Sequence, residues 1–237
     1  IISILGLLLL WQILALLINK SIILPSPQET YKELAFIVKQ PEFFITIINT
    51  LKRVILGFII SFILALLLSF ASIKESIYYS LKPLVTTFKV VPNMAIILLA
   101  LIWLKADYAP ILVGFLIIFP VLYESSLKGI KSVNKELLQM AKVYNINKLK
   151  IFKDIYLPSM KPFILMGINS ALSLNLKIVI AAEVISQPVN SIGGFFQIEK
   201  SNLNTAGVFA WAVISIIIGG IFEIIISLVL KKRRNRI

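Results

Sequence analysis

The sequence contains no cysteine and no histidine. The first absence excludes disulfides and thiolate metal sites, and the second removes the side chain whose charge ordinarily switches near neutral pH. Charge is scarce as well: 15% of the 237 residues are charged and eleven are acidic, against about 25% charged in soluble domains. The acids show no metal-ligand clustering, and no glycine-rich phosphate loop with Lys and Ser/Thr follows a strand. A hydrolase needs a convergent nucleophile and base, which a chain without His or Cys is poorly placed to supply. The expectation is a protein that is not an enzyme and holds no metal.

What is abundant is apolar: 59% of residues are hydrophobic and the mean hydropathy is +0.95. Solid Ile/Leu runs lack the alternation of a membrane barrel, and about 20 apolar residues suffice for one spanning helix. Six candidate spans fall near residues 1–19, 46–72, 84–104, 109–127, 162–185 and 206–230. No repeat of fixed period, low-complexity tract or soluble domain interrupts them, so 1–237 reads as one all-α transmembrane domain. The first apolar segment, Ile1 to Asn19, lacks a small-residue cleavage site and reads as a retained helix. The chain begins at Ile1 rather than Met, which sets the expectation that residues precede it. Leu24-Pro25-Ser26-Pro27 and then Gln28 to Gln40, with Tyr31, Leu34, Ile37 and Val38 at helical spacing, suit a short helix on the membrane surface.

A net charge of +13 would suggest nucleic acid for a soluble protein; here it informs topology. With both termini inside, 16 Lys/Arg lie on the cytoplasmic side. They are Lys74, Lys82, Lys89, the eight lysines from Lys128 to Lys161, and Lys231, Lys232, Arg233, Arg234 and Arg236. Seven, including Lys52 and Arg53, lie outside. The positive-inside rule favours cytoplasmic termini.

Residues 129–161 are too polar to insert and too patterned for a plain connector. Asn134 suits a helix N-cap, with Glu136 in the first turn at the positive end of the dipole. Leu137, Ala141 and Tyr144 share one face with Met140 beside them, and Lys135, Gln139 and Lys142 take the other. Asn145 falls where a left-handed residue ends a helix. A second short helix, capped by Asn147 and carrying Leu149, Phe152 and Ile155, is expected to stop at Pro158 and Pro162. The plainer alternative is a basic connector that serves only the positive-inside rule.

This stretch resembles the cytoplasmic loop of the integral-membrane permeases of ABC importers, with its pattern of Glu-Ala-Ala, a nearby Gly, and Ile-x-Leu-Pro about nine residues on. Gln139-Met140-Ala141, Asn145 and Ile155-Tyr156-Leu157-Pro158 occupy those places. Gln139 replaces the usual Glu and Asn145 the usual Gly; Glu136, one turn earlier, is placed for a replacement contact. The resemblance extends to Leu24-Pro25-Ser26-Pro27, Thr50 to Phe58, Lys89-Val90-Val91-Pro92 and Ala182-Glu183, and points to permeases for nitrate, sulfonates, taurine and pyrimidine-type vitamin precursors.

The resemblance implies a type I ABC importer permease fold with six transmembrane helices and a cytoplasmic coupling helix, sited in a bacterial inner membrane. It implies a homodimer working with two ATPase subunits, which bind the ATP and Mg, and with an extracytoplasmic substrate-binding protein. Lipid surrounds the spans, and neither nucleic acid nor a cofactor of this chain is implied. The competing class is an ion-gradient-driven secondary transporter or channel.

Charges within spans are Lys89, Lys177, Glu183 and Glu223, each costly at a helix centre. Asn169, Ser173 and Lys177, spaced by four with Asn175 nearby, suit a polar path for an anion. Alternatively Lys177 snorkels or pairs with Glu183 or Glu223. Pro92, Asn93 and Met94 mark a break in the third span close to such a path, or a tolerated kink.

Overall fold

Long Ile/Leu/Phe runs satisfy their own backbone in a bilayer by forming helices, and every element among the described residues is helical. The structure, a computed structural model, describes residues 2–234, with side chains described except those of Ile2, Ile4 and 225–234. The basic tail Lys231, Lys232, Arg233, Arg234 and Arg236 thus lies outside the described side chains. The helices are α1 Ile2–Ile18, α2 Pro27–Val38, α3 Phe43–Ala71, α4 Glu75–Val90, α5 Asn93–Trp103, α6 Ala109–Lys131, α7 Lys135–Val143, α8 Lys148–Ile151, α9 Leu157–Ser186, α10 Ile192–Ser201 and α11 Thr205–Arg234.

By length and hydropathy, α3, α6, the run Lys148–Ser186 and Thr205–Ile224 of α11 can each cross a bilayer. The third span expected at 84–104 is not one straight segment. It is the pair α4 and α5, bent by 101°. Pro92 lacks the N–H that would continue the ladder and holds Val91 extended (φ −61°, ψ 128°). α1 is a shorter apolar helix of 17 residues. Its leucines are exposed nearly all round, as suits a helix facing lipid. It is tethered by Trp11, which stacks on Phe209 at 5.5 Å and donates its indole N–H to the Pro25 carbonyl at 2.9 Å.

α6 forms the centre, packed along both α3 and α9. Ala65, Ile118, Phe119, Leu122, Tyr123 and Ala171 are buried where these helices meet. Lipid tails provide no hydrophobic drive between spans, so close backbone approach and interhelical hydrogen bonds hold them. A Cβ on Gly57 would lie 3.0 Å from the Ile111 carbonyl oxygen, and one on Gly129 would lie 2.9 Å from Met160 Cα. Asn175 on α9 donates to the Val54 carbonyl on α3 at 2.7 Å.

Candidate coupling loop and polar face

The caps and the bend of the polar loop after α6 fall where its sequence pattern predicts. Asn134 accepts from the Glu136 N–H at 2.8 Å and so caps α7, and Glu136 sits in the first turn. Asn145 is left-handed, φ 49°. The Asn145 N–H donates to Lys142 O and that of Ile146 to Ala141 O, at 3.1 and 2.9 Å, the closure expected where a helix ends in a left-handed residue. Asn147 accepts from the Leu149 N–H at 3.2 Å and opens α8.

The apolar face expected on α7 divides in two. Ala141 is fully buried, and Leu138 turns inward with it. Leu137, Met140, Val143 and Tyr144 stand out into solvent, Tyr144 at 74% exposure. The division is angular: Ala141 and Leu138 occupy one side of the helix, and the other four sweep round the next arc. Ala141 is therefore a contact to the bundle and not part of an outward docking surface. Gln139 is exposed, as is Glu136 one turn before it.

The second helix does not stop at Pro158 and Pro162. From Lys148 the chain runs as one helical body to Ser186, 39 residues in all, by way of a π-helical turn at Phe152–Tyr156. There the Leu157 N–H reaches Phe152 O, five residues back. The wider turn changes the local bonding register and accommodates the imino nitrogen of Pro158 without breaking the helix. Phe152 packs against Phe70 at the end of α3, ring centroids 5.2 Å apart, and Leu157 is exposed. Lys131 at the end of α6 sits 4.1 Å from the ring centre of Tyr78 on α4. The loop is thus packed against the ends of several spans.

On α9, Asn169 and Lys177 are exposed and Ser173 partly so, in one stripe with Met166 and Ala181. The opposite side of the same helix is buried: Ala171, Asn175 and Val179 face α3 and α6. Asn175 therefore leaves the polar stripe and ties spans together. α5 flanks the stripe through Ile96, Ile97 and Ala100 packed with Ile178 and Ala182. Pro92, Asn93 and Met94 are exposed at the α4–α5 break, at the start of that flanking helix. Lys89 is paired with Glu124 of α6 at 2.8 Å.

Sequence reasoning missed a buried polar assembly that joins α3, α9 and α10. Arg53, counted as a charge outside the membrane, is 7% exposed within α3. It donates to Glu183 at 2.9 Å and to Asp107 at 2.8 Å. Glu183 Oε2 also accepts from Thr50 Oγ1 at 2.9 Å and from the Gly193 N–H at 3.2 Å, while Thr50 accepts from the Ile192 N–H at 3.1 Å. Glu183 therefore pairs with Arg53 rather than with Lys177. The available signal was two opposite charges, Arg53 and Glu183, each nearly alone in an apolar run, since an intramembrane charge ordinarily has a partner.

The bundle, the bent pair and the packed helical loop define the class: a multi-pass helical membrane protein. Residues 57–235 match the family described as the binding-protein-dependent transport system inner membrane component, and the chain belongs to that family. It is 30% identical over 168 residues to a probable ABC transporter permease of Brucella melitensis, covering 70% of this chain and 68% of that protein. It is 25% identical over 230 residues to a putative aliphatic sulfonates transport permease of Bacillus subtilis, covering 94% and 82%. A taurine transport system permease of Escherichia coli is 25% identical over 221 residues, covering 90% and 80%. The crystal structure of an amino acid ABC transporter superposes with a TM-score of 0.69 at 18% identity, covering 86% of this chain and 98% of that one. That likeness establishes the type I permease fold.

Proposed function

We propose that this chain forms the translocation path of an ATP-driven importer for a small polar or anionic solute, of the nitrate, sulfonate, taurine or vitamin-precursor kind, delivered by an external binding protein. The observation that carries the reading is the exposed apolar arc of Leu137, Met140, Val143 and Tyr144 on a short, doubly capped helix. Apolar side chains held out on a packed loop suit a groove in a partner protein, here an ATPase subunit that binds ATP and Mg.

Transmission follows from covalent and packing continuity. Displacement of α7, passed along the chain through α8, bears on α3 through the Phe152–Phe70 contact of the π-helical turn. It also bears directly on the 39-residue helix to Ser186, about 58 Å long at 1.5 Å per residue. That same helix carries Asn169, Ser173 and Lys177, so a push at one end reorients the polar face, as rocking between two arrangements requires. Exposed to lipid, Lys177 would cost about 2.5–3.5 kcal/mol on insertion scales. A second copy of the chain facing the stripe would enclose it in a water-filled path, where the ammonium attracts an anion. The cytoplasmic placement of α7 and of both termini rests on the positive-inside rule.

The test uses Met140→Asp and Tyr144→Asp, exposed positions at which an added charge leaves the core intact. Both are expected to reduce ATPase co-purification and ATP-dependent uptake together, while Lys177→Gln reduces uptake with the ATPase still attached. Full assembly and full uptake in the α7 variants would sink the coupling reading. Uptake driven by an ion gradient without ATP would instead select a secondary transporter.

A further inference from the structure

Between Lys177 and the α7 end of the bundle, α4 and α6 are joined by a second ion pair. The Lys89 ammonium donates to Glu124 Oε1 at 2.8 Å, and the two side chains are 50% and 39% exposed. Glu124 comes seven residues before Lys131, the last residue of α6, which is about 10 Å along the axis at 1.5 Å per residue. It stands within the span and not at its mouth. A half-open ion pair at that depth is costly against lipid, and such charges ordinarily face protein or water.

Contacts between α6 and α9 fix the height of the pair relative to the polar stripe. A Cβ on Gly114 would meet Asn175 Oδ1 at 2.5 Å and Val179 Cγ2 at 3.0 Å, so Lys177, between those two residues, is level with Gly114. A Cβ on Gly167 would meet Ser125 Cβ at 2.6 Å, which places Ser170 and Met166 near the level of Glu124. From Gly114 to Glu124 is ten residues, about 15 Å toward α7, and the exposed stripe on α9 crosses that interval. The side agrees as well as the height. Ser61 of α3 donates to the Phe115 carbonyl at 2.8 Å, and Glu124, nine residues further at about 100° each, is turned half a turn away from α3. The stripe likewise lies opposite the face of α9 that meets α3. Ile117, which shares the Glu124 side of α6, packs with Val91 and Leu174 on the cluster of Ile96, Ile97 and Ile178. The end of α4, this side of α6 and the flank of the stripe therefore converge.

We propose that Lys89 and Glu124 form a second charged station of the path, on the α7 side of Lys177, where a small anion takes the place of the Glu124 carboxylate on the Lys89 ammonium. One oxyanion leaves the ammonium as another arrives, so no charge is stranded in the bundle during the exchange. With Glu124 in place the station is neutral, and its return expels the anion toward the α7 end instead of trapping it. The proposal rests on the importer reading for the path itself. It narrows the solute to one that carries an anionic group, since a neutral solute does not compete with a carboxylate for Lys89.

The chain has no cysteine, so one introduced thiol reports alone. Ser170→Cys places it at an exposed position on the stripe, near the pair but not part of it. The complex, purified through a tag on this chain and held in lipid nanodiscs, is treated with 2-sulfonatoethyl methanethiosulfonate, itself a small sulfonate. A parallel sample receives the cationic 2-(trimethylammonio)ethyl reagent, and the ratio of the two labelling rates is read by mass spectrometry. Glu124→Gln uncovers Lys89 and is expected to raise the anion-to-cation ratio by about tenfold, the low end of what a charged cleft does to the encounter rate of an ion. Lys89→Gln leaves Glu124 uncovered and is expected to lower the ratio by as much. Lys89→Arg keeps both charges and should label as the Ser170→Cys chain does. Both rates come from one preparation, so partial loss of folded protein does not imitate a shift. A thiol that reacts, with a ratio unchanged by either Gln variant, overturns the proposal and leaves the importer reading standing. A thiol inert to both reagents shows that no water reaches that level, and the path reading falls with the proposal.

Discussion

Arg53 on α3 donates to Glu183 on α9 at 2.9 Å, joining residues 130 positions apart in a site where Glu183 is fully buried. Removing one member of a buried pair strands the other charge, which costs about 3–5 kcal/mol, more than the pair itself contributes. Arg53→Met is therefore expected to lower the thermal unfolding midpoint of the purified chain markedly. Adding Glu183→Gln should recover much of the loss, because the neutral amide oxygen still accepts from Thr50 and the Gly193 N–H. Thermal scans of the two variants decide the matter: a double variant no more stable than Arg53→Met would show that the stranded charge is not what destabilises.

Which features the sequence revealed depends on how far apart the interacting residues are. The Asn134 cap, the Asn145 bend and the amphipathic α7 are written within about a dozen residues, so capping chemistry and helical period expose them. The break at Pro92 is equally local, since a missing N–H needs no tertiary partner to act. The Arg53–Glu183–Asp107 assembly is not local: beside Lys52, Arg53 has the look of an ordinary flanking charge, and its partners lie 130 and 54 positions away. The continuity of α8 into α9 was hidden for another reason. Pro158 normally argues for a boundary, and only the π-helical turn at Phe152–Tyr156 removes the conflict. The burial of Ala141 beside exposed Met140 depends on which way α7 rolls, and packing against the bundle decides that.

The close approach of α10 to α9 yields a second test. A Cβ on Gly193 would lie 2.4 Å from Glu183 Cβ and 2.5 Å from both the Ile180 carbonyl oxygen and the Val184 nitrogen. Two of these neighbours are backbone and cannot swing aside. Gly193→Ala is expected to displace the start of α10, withdraw the Gly193 N–H from Glu183, and lower stability by about 1–3 kcal/mol or more. Gly219→Ala, whose Cβ meets only Leu176 Cδ2 at 3.5 Å, is the matched control and should unfold with the native chain. Equal midpoints for the two variants would contradict the packing described.

Asn145 holds φ 49° at the end of α7, a conformation that costs most L residues about 1–2 kcal/mol and Gly almost nothing. Asn145→Gly should leave the bend intact, whereas Asn145→Val should loosen it, because a β-branched side chain tolerates positive φ poorly. Hydrogen exchange at the Asn145 and Ile146 amides, which close the helix end onto Lys142 and Ala141, reads the difference directly. Slow exchange in both variants would mean that the left-handed geometry at 145 is not what terminates α7.

The N-terminus of α2 is set by a reciprocal pair: the Ser26 N–H donates to Glu29 Oε2 at 2.7 Å, and the Glu29 N–H donates to Ser26 Oγ at 3.2 Å. The backbone bond from Ser26, with help from its hydroxyl and from Lys32, holds the Glu29 carboxyl below its ordinary value. A depressed folded-state pKa means the ionised form is preferred in the folded helix. Its stabilising contribution is thus complete above the unfolded value, about 4.3 for Glu, and is lost as pH falls through the lower folded value. Protection of the Glu29 and Thr30 amides against hydrogen exchange should hold down to about pH 5 and decline below the unfolded pKa. Glu29→Gln should flatten that decline, since an amide does not titrate in this range while its oxygen still accepts from the Ser26 N–H. A decline of the same size in Glu29→Gln would assign the acid sensitivity of α2 to another group.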